Sequence, residues 1–255
     1  MIKHLLSYPG TFGLDLDHPS TTVLRREILR QKQFLRSVYK DWYYFFKENC
    51  PDIPGKVLEI GSGAGFLDEL IPELIRSDIS FLEFNNAVIN ACHLPFQADS
   101  LRAILMVNVF HHIPDVTSFL HEAGRCIVPG GTILLIEPWN TSWSKLIYKY
   151  LHHEPFLPDA IEWALEQVGP LSGGNDALPW IVFSRDRQRF CEEFQDWKIE
   201  LIRPFCPFRY LLSGGMSLRS LAPHWSYSFW YWLENQMDPV INQWGMFAQI
   251  IIRKV

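Results

Sequence analysis

The strongest constraint on the fold is a glycine-rich turn that directly follows a short apolar run. Residues 57–60 are apolar except for Glu59, as expected for a strand covered on both faces of a parallel sheet. Gly61, Gly63 and Gly65 follow, and they let the backbone turn sharply and lie close to a ligand without Cβ clashes. A helix that begins near Phe66 would direct its free N–H groups at that ligand. The sequence therefore predicts a ligand-binding turn between a strand and a helix.

Two classes of ligand use such a turn. Dinucleotide folds have the pattern G-x-G-x-x-G, whose third glycine lets the helix pack closely on the strand. Phe66 stands at that third position here, so a nucleotide-dependent oxidoreductase is a distant alternative. From Glu59 to Gly65 the sequence reads E-x-G-x-G-x-G instead. This resembles the first motif of class I S-adenosylmethionine (SAM)-dependent methyltransferases, which implies that the turn binds the methionine part of SAM.

Composition and charge indicate a globular protein and exclude several other classes. The 255 residues are 48% apolar, which suits one large α/β domain. The net charge of −5, without a cluster of Lys and Arg, argues against a nucleic-acid partner. The five cysteines are scattered and lack a C-x-x-C pair, so we expect reduced thiols rather than a disulfide framework or a structural zinc site. The N-terminus does not read as a secretory signal, and a cytoplasmic protein is predicted.

An acidic residue is predicted at the end of the second strand. Residues 74–79 read as that strand, and Asp78 falls at its C-terminal end, where ligands bind in open α/β sheets. A carboxylate there can accept two hydrogen bonds from a ribose diol. The resemblance implies this role for Asp78, with Glu83 as the second candidate. The short interval after Gly65 implies a shortened helix.

Residues 88–96 resemble the D-A-x-x-L-P-F segment of the methyltransferase type 11 group. Asn90 replaces the acid that contacts the adenine amino group in that family. Its amide oxygen is still able to accept that hydrogen bond. The resemblance thus implies that Asn90 and Ala91 lie beside the adenine ring.

A fourth motif begins at the end of the apolar run of residues 101–110, which is typical of a central parallel strand. From Asn108 to Asp115 the pattern N-x-x-H-H-x-x-D resembles the fourth-strand motif of the same group. The resemblance implies that Asn108 lies beside the sulfonium and that His111 and His112 face the substrate. Histidine is able to act as a base because its ordinary pKa lies near neutrality. In the alternative interpretation, one of the two packs structurally or closes the adenine pocket.

The pattern R-C-x-x-P-G-G-x-x-x-x-x-E-P ends at Pro138 and completes five motifs in the family order over residues 56–138. Their order implies a Rossmann-like class I methyltransferase fold, a mostly parallel seven-stranded sheet with helices on both faces and an aromatic-rich cap. We expect a single domain over residues 1–255. Its predicted parts are an N-terminal arm and helix (1–50), a SAM-binding core (56–138), and two cap insertions (139–195 and 204–245). The helix of residues 22–49 either packs beside the cofactor or only covers the sheet.

The second half of the chain is rich in aromatic residues. Nine of the ten tryptophans lie between Trp139 and Trp244, and residues 220–233 carry no charge apart from His224. This segment is too short and too polar to span a bilayer. It fits three interpretations: a peripheral contact with a membrane surface, a lid over an apolar substrate, or ordinary core packing.

Another group of polar residues, His152, His153 and Glu154, suggests metal ligands at first sight. Adjacent histidines on an extended chain point to opposite faces, and the sequence indicates no third ligand. We therefore predict that the protein has no metal site.

The combined prediction is transfer of the SAM methyl group to a small-molecule acceptor that is apolar, aromatic or lipid-linked in part. The alternative is a catalytically inactive protein of the same fold that binds or regulates a partner. The candidate bases are His112, His111 and His153, with Glu137 behind them. The predicted cofactor-binding residues are Glu59, Gly61, Ser62, Gly63, Gly65, Asp78, Asn90, Ala91 and Asn108. The acceptor atom and the oligomeric state do not follow from the sequence.

Overall fold

The computed structural model describes residues 6–11, 13–150, 154–165, 169 and 172–255. Its centre is a seven-stranded sheet with the strand order β3-β2-β1-β4-β5-β7-β6. The strands are β1 (Lys56–Glu59), β2 (Leu74–Asp78), β3 (Ala87–Val88), β4 (Leu101–Val107), β5 (Ile127–Pro138), β6 (Trp197–Phe205) and β7 (Phe247–Lys254). Only the pairs of β7 with β5 and with β6 are antiparallel among the described strands. The predicted fold class, a mostly parallel seven-stranded sheet with helices on both faces, is confirmed.

The sheet positions the functional site through its strand order. β1 and β4 are neighbours at its centre, but the chain runs from β1 outward to β2 and β3 before it returns to β4. The loops that leave β1 and β4 therefore diverge, and in sheets of this topology the ligand crevice lies at the carboxyl ends of these strands. Leu58 and Ile104 pair in register and are fully buried, because helices cover both faces of the sheet.

Helices lie before, between and after the strands. They are α1 (Pro19–Gln31), α2 (Gln33–Asn49), α3 (Val116–Cys126), α4 (Ser142–Tyr150), α5 (Leu178–Trp180), α6 (Arg187–Glu193), α7 (Arg209–Ser213), α8 (Tyr227–Asn235) and α9 (Ile241–Trp244). Short 3₁₀ turns cover Leu67–Glu69, Phe110–His112, His224–Ser226 and Asp238–Val240, and a π turn covers Ile181–Arg185. Each helix in the described ranges is too short or too polar to cross a bilayer.

The N-terminal helical region differs from the prediction of one helix over residues 22–49. It consists of α1 and α2, which meet at a break at Lys32. The Lys32 ammonium is buried and donates hydrogen bonds to the carbonyl oxygens of Gly215 and Leu218, at 2.5 and 2.7 Å. The His18 side chain caps α1 by accepting the N–H of Ser20. These long-range contacts leave no periodic signal in the sequence.

The helical segment between β1 and β2 is short, as the sequence predicts. The only helical turn of the described chain between β1 and β2 is Leu67–Glu69, and β2 ends at Asp78 as expected. Asp115 caps α3 by accepting the N–H of Ser118 at 3.1 Å. β4 is shorter than expected because Asn108 adopts a left-handed φ of 55° and turns the chain out of the sheet.

Candidate active site

The glycine-rich turn lies in the crevice at the carboxyl end of β1. Gly61 has a φ of +66°, and a Cβ atom there would lie 2.4 Å from Val109 Cγ2, so only glycine fits. The N–H of Ser62 donates to the Ser77 carbonyl at 2.8 Å, and Ser62 Oγ accepts the N–H of Ser77 at 3.2 Å. These reciprocal bonds fasten the turn to β2.

Asp78 lies against the turn at the end of β2. Its Oδ2 accepts the N–H of Gly63 at 3.2 Å, and its Oδ1 accepts the N–H of Ser80 at 3.0 Å. Burial raises the pKa of Asp78, although these N–H groups favour its charged form. Glu83, the second candidate, is exposed. The structure thus brings Asp78 against the turn, and its carboxylate retains lone pairs for a ligand.

Glu59 lies beneath the turn. Glu59 is 3% exposed. Its Oε1 lies close to Gly65, since a Cβ atom added to that glycine would be 3.7 Å from it. Burial raises the pKa of Glu59 to about 7, because desolvation disfavours the charged form. In this position Glu59 supports the turn from the protein interior.

The two N-terminal helices cover the turn from the other side. A Cβ atom on Gly63 would lie 3.9 Å from Thr22 Cγ2 of α1, and one on Gly65 would lie 2.6 Å from the Tyr43 hydroxyl of α2. The Tyr39 hydroxyl lies beside the Asn108 side chain. α2 also packs on the sheet, since Trp42 is fully buried in one core cluster with residues of β1 and β5. The N-terminal helices therefore cover the sheet and also lie against the turn, and packing beside the cofactor stays a prediction.

Asn90 and Ala91 lie near Asp78, because the N–H of Ile89 donates to the Asp78 carbonyl at 3.0 Å. Asn90 is exposed, and its Oδ1 accepts the N–H of Cys92 at 2.9 Å. Ala91 is buried in the core. The Asn90 amide thus closes its own turn and keeps one lone pair for another donor.

Asn108 lies where the chain leaves β4. Its N–H donates to the Ile136 carbonyl at 2.9 Å, and its Oδ1 is buried without a hydrogen-bond partner among the described residues. A left-handed φ is uncommon for residues other than glycine, and such strain concentrates at functional sites. The residue stands next to Val109, whose side chain touches Gly61.

His111 is buried in a cluster of carboxylates. Its Nδ1 lies 2.7 Å from Glu137 Oε2, and its Nε2 lies 3.2 Å from Glu154 Oε2 and 3.6 Å from Asp176 Oδ1. Burial opposes the charged imidazolium, but the three carboxylates outweigh it and raise the pKa of His111 well above its usual range. Glu137 Oε1 also accepts the N–H groups of Val109 and Phe110, both at 2.8 Å. Glu137 thus fixes the 3₁₀ turn and His111 together.

His112 lies beside His111 and is slightly more exposed. Its Nδ1 is 2.6 Å from the Gly173 carbonyl, and its Nε2 is 3.7 Å from Glu154 Oε2. Burial and the neighbouring charge of His111 lower the pKa of His112 to about 4. His153, the third candidate base, lies outside the described residues.

Segment 172–176 of the first insertion covers the two histidines. The N–H of Asn175 donates to the His111 carbonyl at 3.0 Å. From the N-terminal arm, Asp17 accepts the N–H and the hydroxyl of Ser172, at 3.0 and 2.6 Å. The arm and the insertion therefore meet over this side of the crevice.

Sequence reasoning missed several of these residues. Glu154 and Asp176 converge on His111 although they are far from it in the chain, and the residues next to Glu154 give no sign of this contact. Tyr39 and Tyr43 are four positions apart and therefore lie on one face of α2. This spacing is the sequence signal that could have grouped them.

Comparisons with known proteins agree with this geometry. A family model described as a methyltransferase domain matches residues 30–208. No curated protein matches the sequence.

Two solved structures illustrate the similarity in fold. The first is geranyl diphosphate C-methyltransferase from Streptomyces coelicolor A3(2), solved with Mg²⁺, geranyl diphosphate and S-adenosyl-L-homocysteine. It has a TM-score of 0.56 and 12% identity, and the match covers 91% of this chain and 83% of that chain. The second is a geranyl diphosphate methyltransferase in complex with SAM, with a TM-score of 0.52, 10% identity, and coverage of 87% of each chain. At these identities the likeness concerns the fold alone.

The family model spans more than half of the chain, so the protein belongs to this methyltransferase domain family, and the predicted enzyme class, a methyltransferase with SAM as its cofactor, is confirmed.

Proposed function

We propose that the enzyme transfers the sulfonium methyl group of SAM to a small-molecule acceptor between the end of β4 and segment 172–176. The observation that carries this proposal is the convergence of the Gly61–Gly65 turn, Asp78 and Asn108 at one end of the sheet. The acceptor nucleophile forms a bond to the methyl carbon while the S–CH₃ bond breaks. The electron pair of that bond stays on sulfur and gives S-adenosylhomocysteine.

The proposed cofactor contacts follow the order of the strands. The turn after β1 would hold the methionine part, Asp78 the ribose diol, and Asn90 with Ala91 the adenine. Asn108 would lie near the sulfonium, where its buried Oδ1 supplies a partial negative charge. Tyr39 and Thr22 would close the pocket from the N-terminal helices. The protein contributes mainly alignment and exclusion of water, because the sulfonium is itself a strong electrophile.

A base is required only if the acceptor is an alcohol or a similar weak acid. His112 is the first candidate, because its Nδ1 donates to the Gly173 carbonyl and its Nε2 therefore carries a lone pair. His111 is the second candidate, although carboxylates contact both of its nitrogens. His153 stays a third prediction. The acceptor's proton would pass to the histidine nitrogen as the methyl bond forms.

The test is calorimetric titration of the purified protein with SAM and with S-adenosylhomocysteine, followed by methyl-transfer assays. We expect micromolar binding of both ligands and turnover of an acceptor from a panel of phenols, carboxylic acids and lipid-linked alcohols. A folded protein that binds neither ligand would contradict the proposal. Binding of SAM without turnover of any acceptor would count against the proposed classes of small-molecule acceptor.

A second proposal concerns the aromatic half of the chain. Trp139, Trp163 and Trp197 are buried, so core packing accounts for part of it. Trp225 and Trp232 are 85% and 56% exposed, and both lie in the uncharged segment 220–233. Exposed tryptophans without nearby charges are typical of contacts with the headgroup region of a membrane. We propose that this segment contacts a membrane surface, which would also suit a lipid-linked acceptor.

Vesicle co-sedimentation tests the membrane contact. The wild-type protein is expected to bind phospholipid vesicles, and the double variant Trp225→Ser, Trp232→Ser is expected to lose most of that binding. Phe81→Ser is the matched control, because Phe81 is 71% exposed but lies outside the segment. Equal binding by the double variant and the wild type, or no binding by either, would refute the contact.

A further inference from the structure

We propose that His111, His112, Glu154 and Asp176 form a binding site for a divalent transition-metal ion such as Zn²⁺. Ligand atoms of both histidines and Glu154 all lie within 4.8 Å of one another. Asp176 adds a fourth donor, since its Oδ1 is 3.6 Å from His111 Nε2. This inference does not depend on the identity of the acceptor, but it competes with the base role proposed for the two histidines, and it revises the sequence-based prediction that no metal site exists.

The orientation of the two imidazole rings supports the site. The Gly173 carbonyl can only accept a hydrogen bond, so His112 Nδ1, at 2.6 Å, carries the hydrogen and Nε2 carries the lone pair. His111 Nδ1 lies 2.7 Å from Glu137 Oε2, which orients that ring in the same way. Metal-binding histidines typically donate their other N–H to a carboxylate or a backbone carbonyl, which fixes the tautomer. Both patterns occur here on adjacent residues.

The distances also fit one ion. Glu154 Oε2 is 3.2 Å from His111 Nε2 and 3.7 Å from His112 Nε2. A tetrahedral ion with bonds of about 2.0–2.1 Å separates its donor atoms by about 3.3–3.4 Å. The observed separations bracket this value, so a small shift of side chains would bring the donors to bonding distance.

Burial favours a cation at this point. His111 and Asp176 are 2% and 0% exposed, and Glu137 is fully buried behind His111. Burying carboxylates costs free energy unless positive charge lies beside them. A divalent ion would balance two of the three carboxylates, Glu137, Glu154 and Asp176, that surround His111.

The donor set selects the class of metal. Imidazole nitrogens combined with carboxylate oxygens suit Zn²⁺, Fe²⁺ or Mn²⁺, whereas Mg²⁺ and Ca²⁺ prefer oxygen ligands alone. The ion would join the 3₁₀ turn after β4 to two points of the first insertion, Glu154 and Asp176. It would thereby fix the insertion over the crevice. Since its bonds would occupy Nε2 of both histidines, neither ring would then serve as the base.

The experiment uses the full chain after treatment with a chelator. We expect calorimetry with Zn²⁺ to give one equivalent bound, and Co²⁺ to give the visible absorption of a four- or five-coordinate ion. Glu154→Gln and His112→Gln are each expected to weaken Zn²⁺ binding at least tenfold. His224→Gln and Glu193→Gln are matched controls at exposed positions and should leave the affinity unchanged.

Two outcomes would overturn the site. One is a folded wild-type protein, verified by circular dichroism, that binds neither ion. The other is binding that Glu154→Gln and His112→Gln leave unchanged, since the ion would then lie elsewhere. Glu154→Gln decides the matter if a histidine variant fails to fold, because its amide keeps the shape of the side chain and loses only the charge. Loss of Zn²⁺ binding with intact SAM binding would separate this site from the cofactor pocket.

Discussion

Asp78→Ala is expected to weaken SAM binding by about 100-fold or more. A hydrogen bond to a charged group contributes about 1.5–3 kcal/mol, and the Asp78 carboxylate would accept one from each ribose hydroxyl. Loss of both bonds amounts to about 3 kcal/mol or more, and each 1.4 kcal/mol or so corresponds to a factor of ten in the dissociation constant. Calorimetric titration of the variant with SAM measures the effect.

The same carboxylate also accepts the N–H groups of Gly63 and Ser80, so the alanine variant disturbs the turn as well as the ribose contact. Asp78→Asn separates the two effects, since its amide oxygen keeps an acceptor while one acceptor oxygen and the charge are lost. We expect it to bind SAM with intermediate affinity. Glu83→Ala is the control, because Glu83 is exposed and follows the same strand. Wild-type affinity in Asp78→Ala would show that another residue binds the ribose.

The parts of the fold that could be predicted are those whose limits are marked by residues close together in the sequence. β2 was predicted almost to the residue, because its apolar run ends at a recognisable polar residue, Asp78. The order of five short motifs identified the sheet topology, which no single motif specifies.

The parts that were not predictable depend on contacts between distant residues. Lys32 interrupts the N-terminal helix because its ammonium reaches carbonyl groups almost two hundred positions later in the chain. Glu154 and Asp176 lie in an insertion without helical or strand periodicity, so their approach to His111 could be seen only in the folded chain. The division into a core (56–138) and two cap insertions stays a prediction, as do the roles of the individual site residues.

Glu137→Ala is expected to lower the free energy of unfolding by about 4 kcal/mol or more. The Glu137 carboxylate is fully buried and accepts three hydrogen bonds, from the N–H groups of Val109 and Phe110 and from His111 Nδ1. A buried donor that loses its partner costs about 1–3 kcal/mol, and removal of one member of a buried ion pair costs about 3–5 kcal/mol. Since a typical domain is stable by about 5–15 kcal/mol, the variant should unfold at a much lower denaturant concentration.

Glu137→Gln tests which part of this loss comes from charge. Its amide oxygen still accepts the two backbone N–H groups, but its NH₂ group now faces His111 Nδ1, which must accept instead of donate. The imidazolium must then lose its Nδ1 proton or turn away, and we expect a loss of about 2 kcal/mol. Glu48→Ala, at an exposed position on α2, should change the stability by less than about 0.5 kcal/mol. If Glu137→Ala were as stable as this control in denaturant titrations, water would have to satisfy the three donors, and Glu137 would not hold the turn after β4.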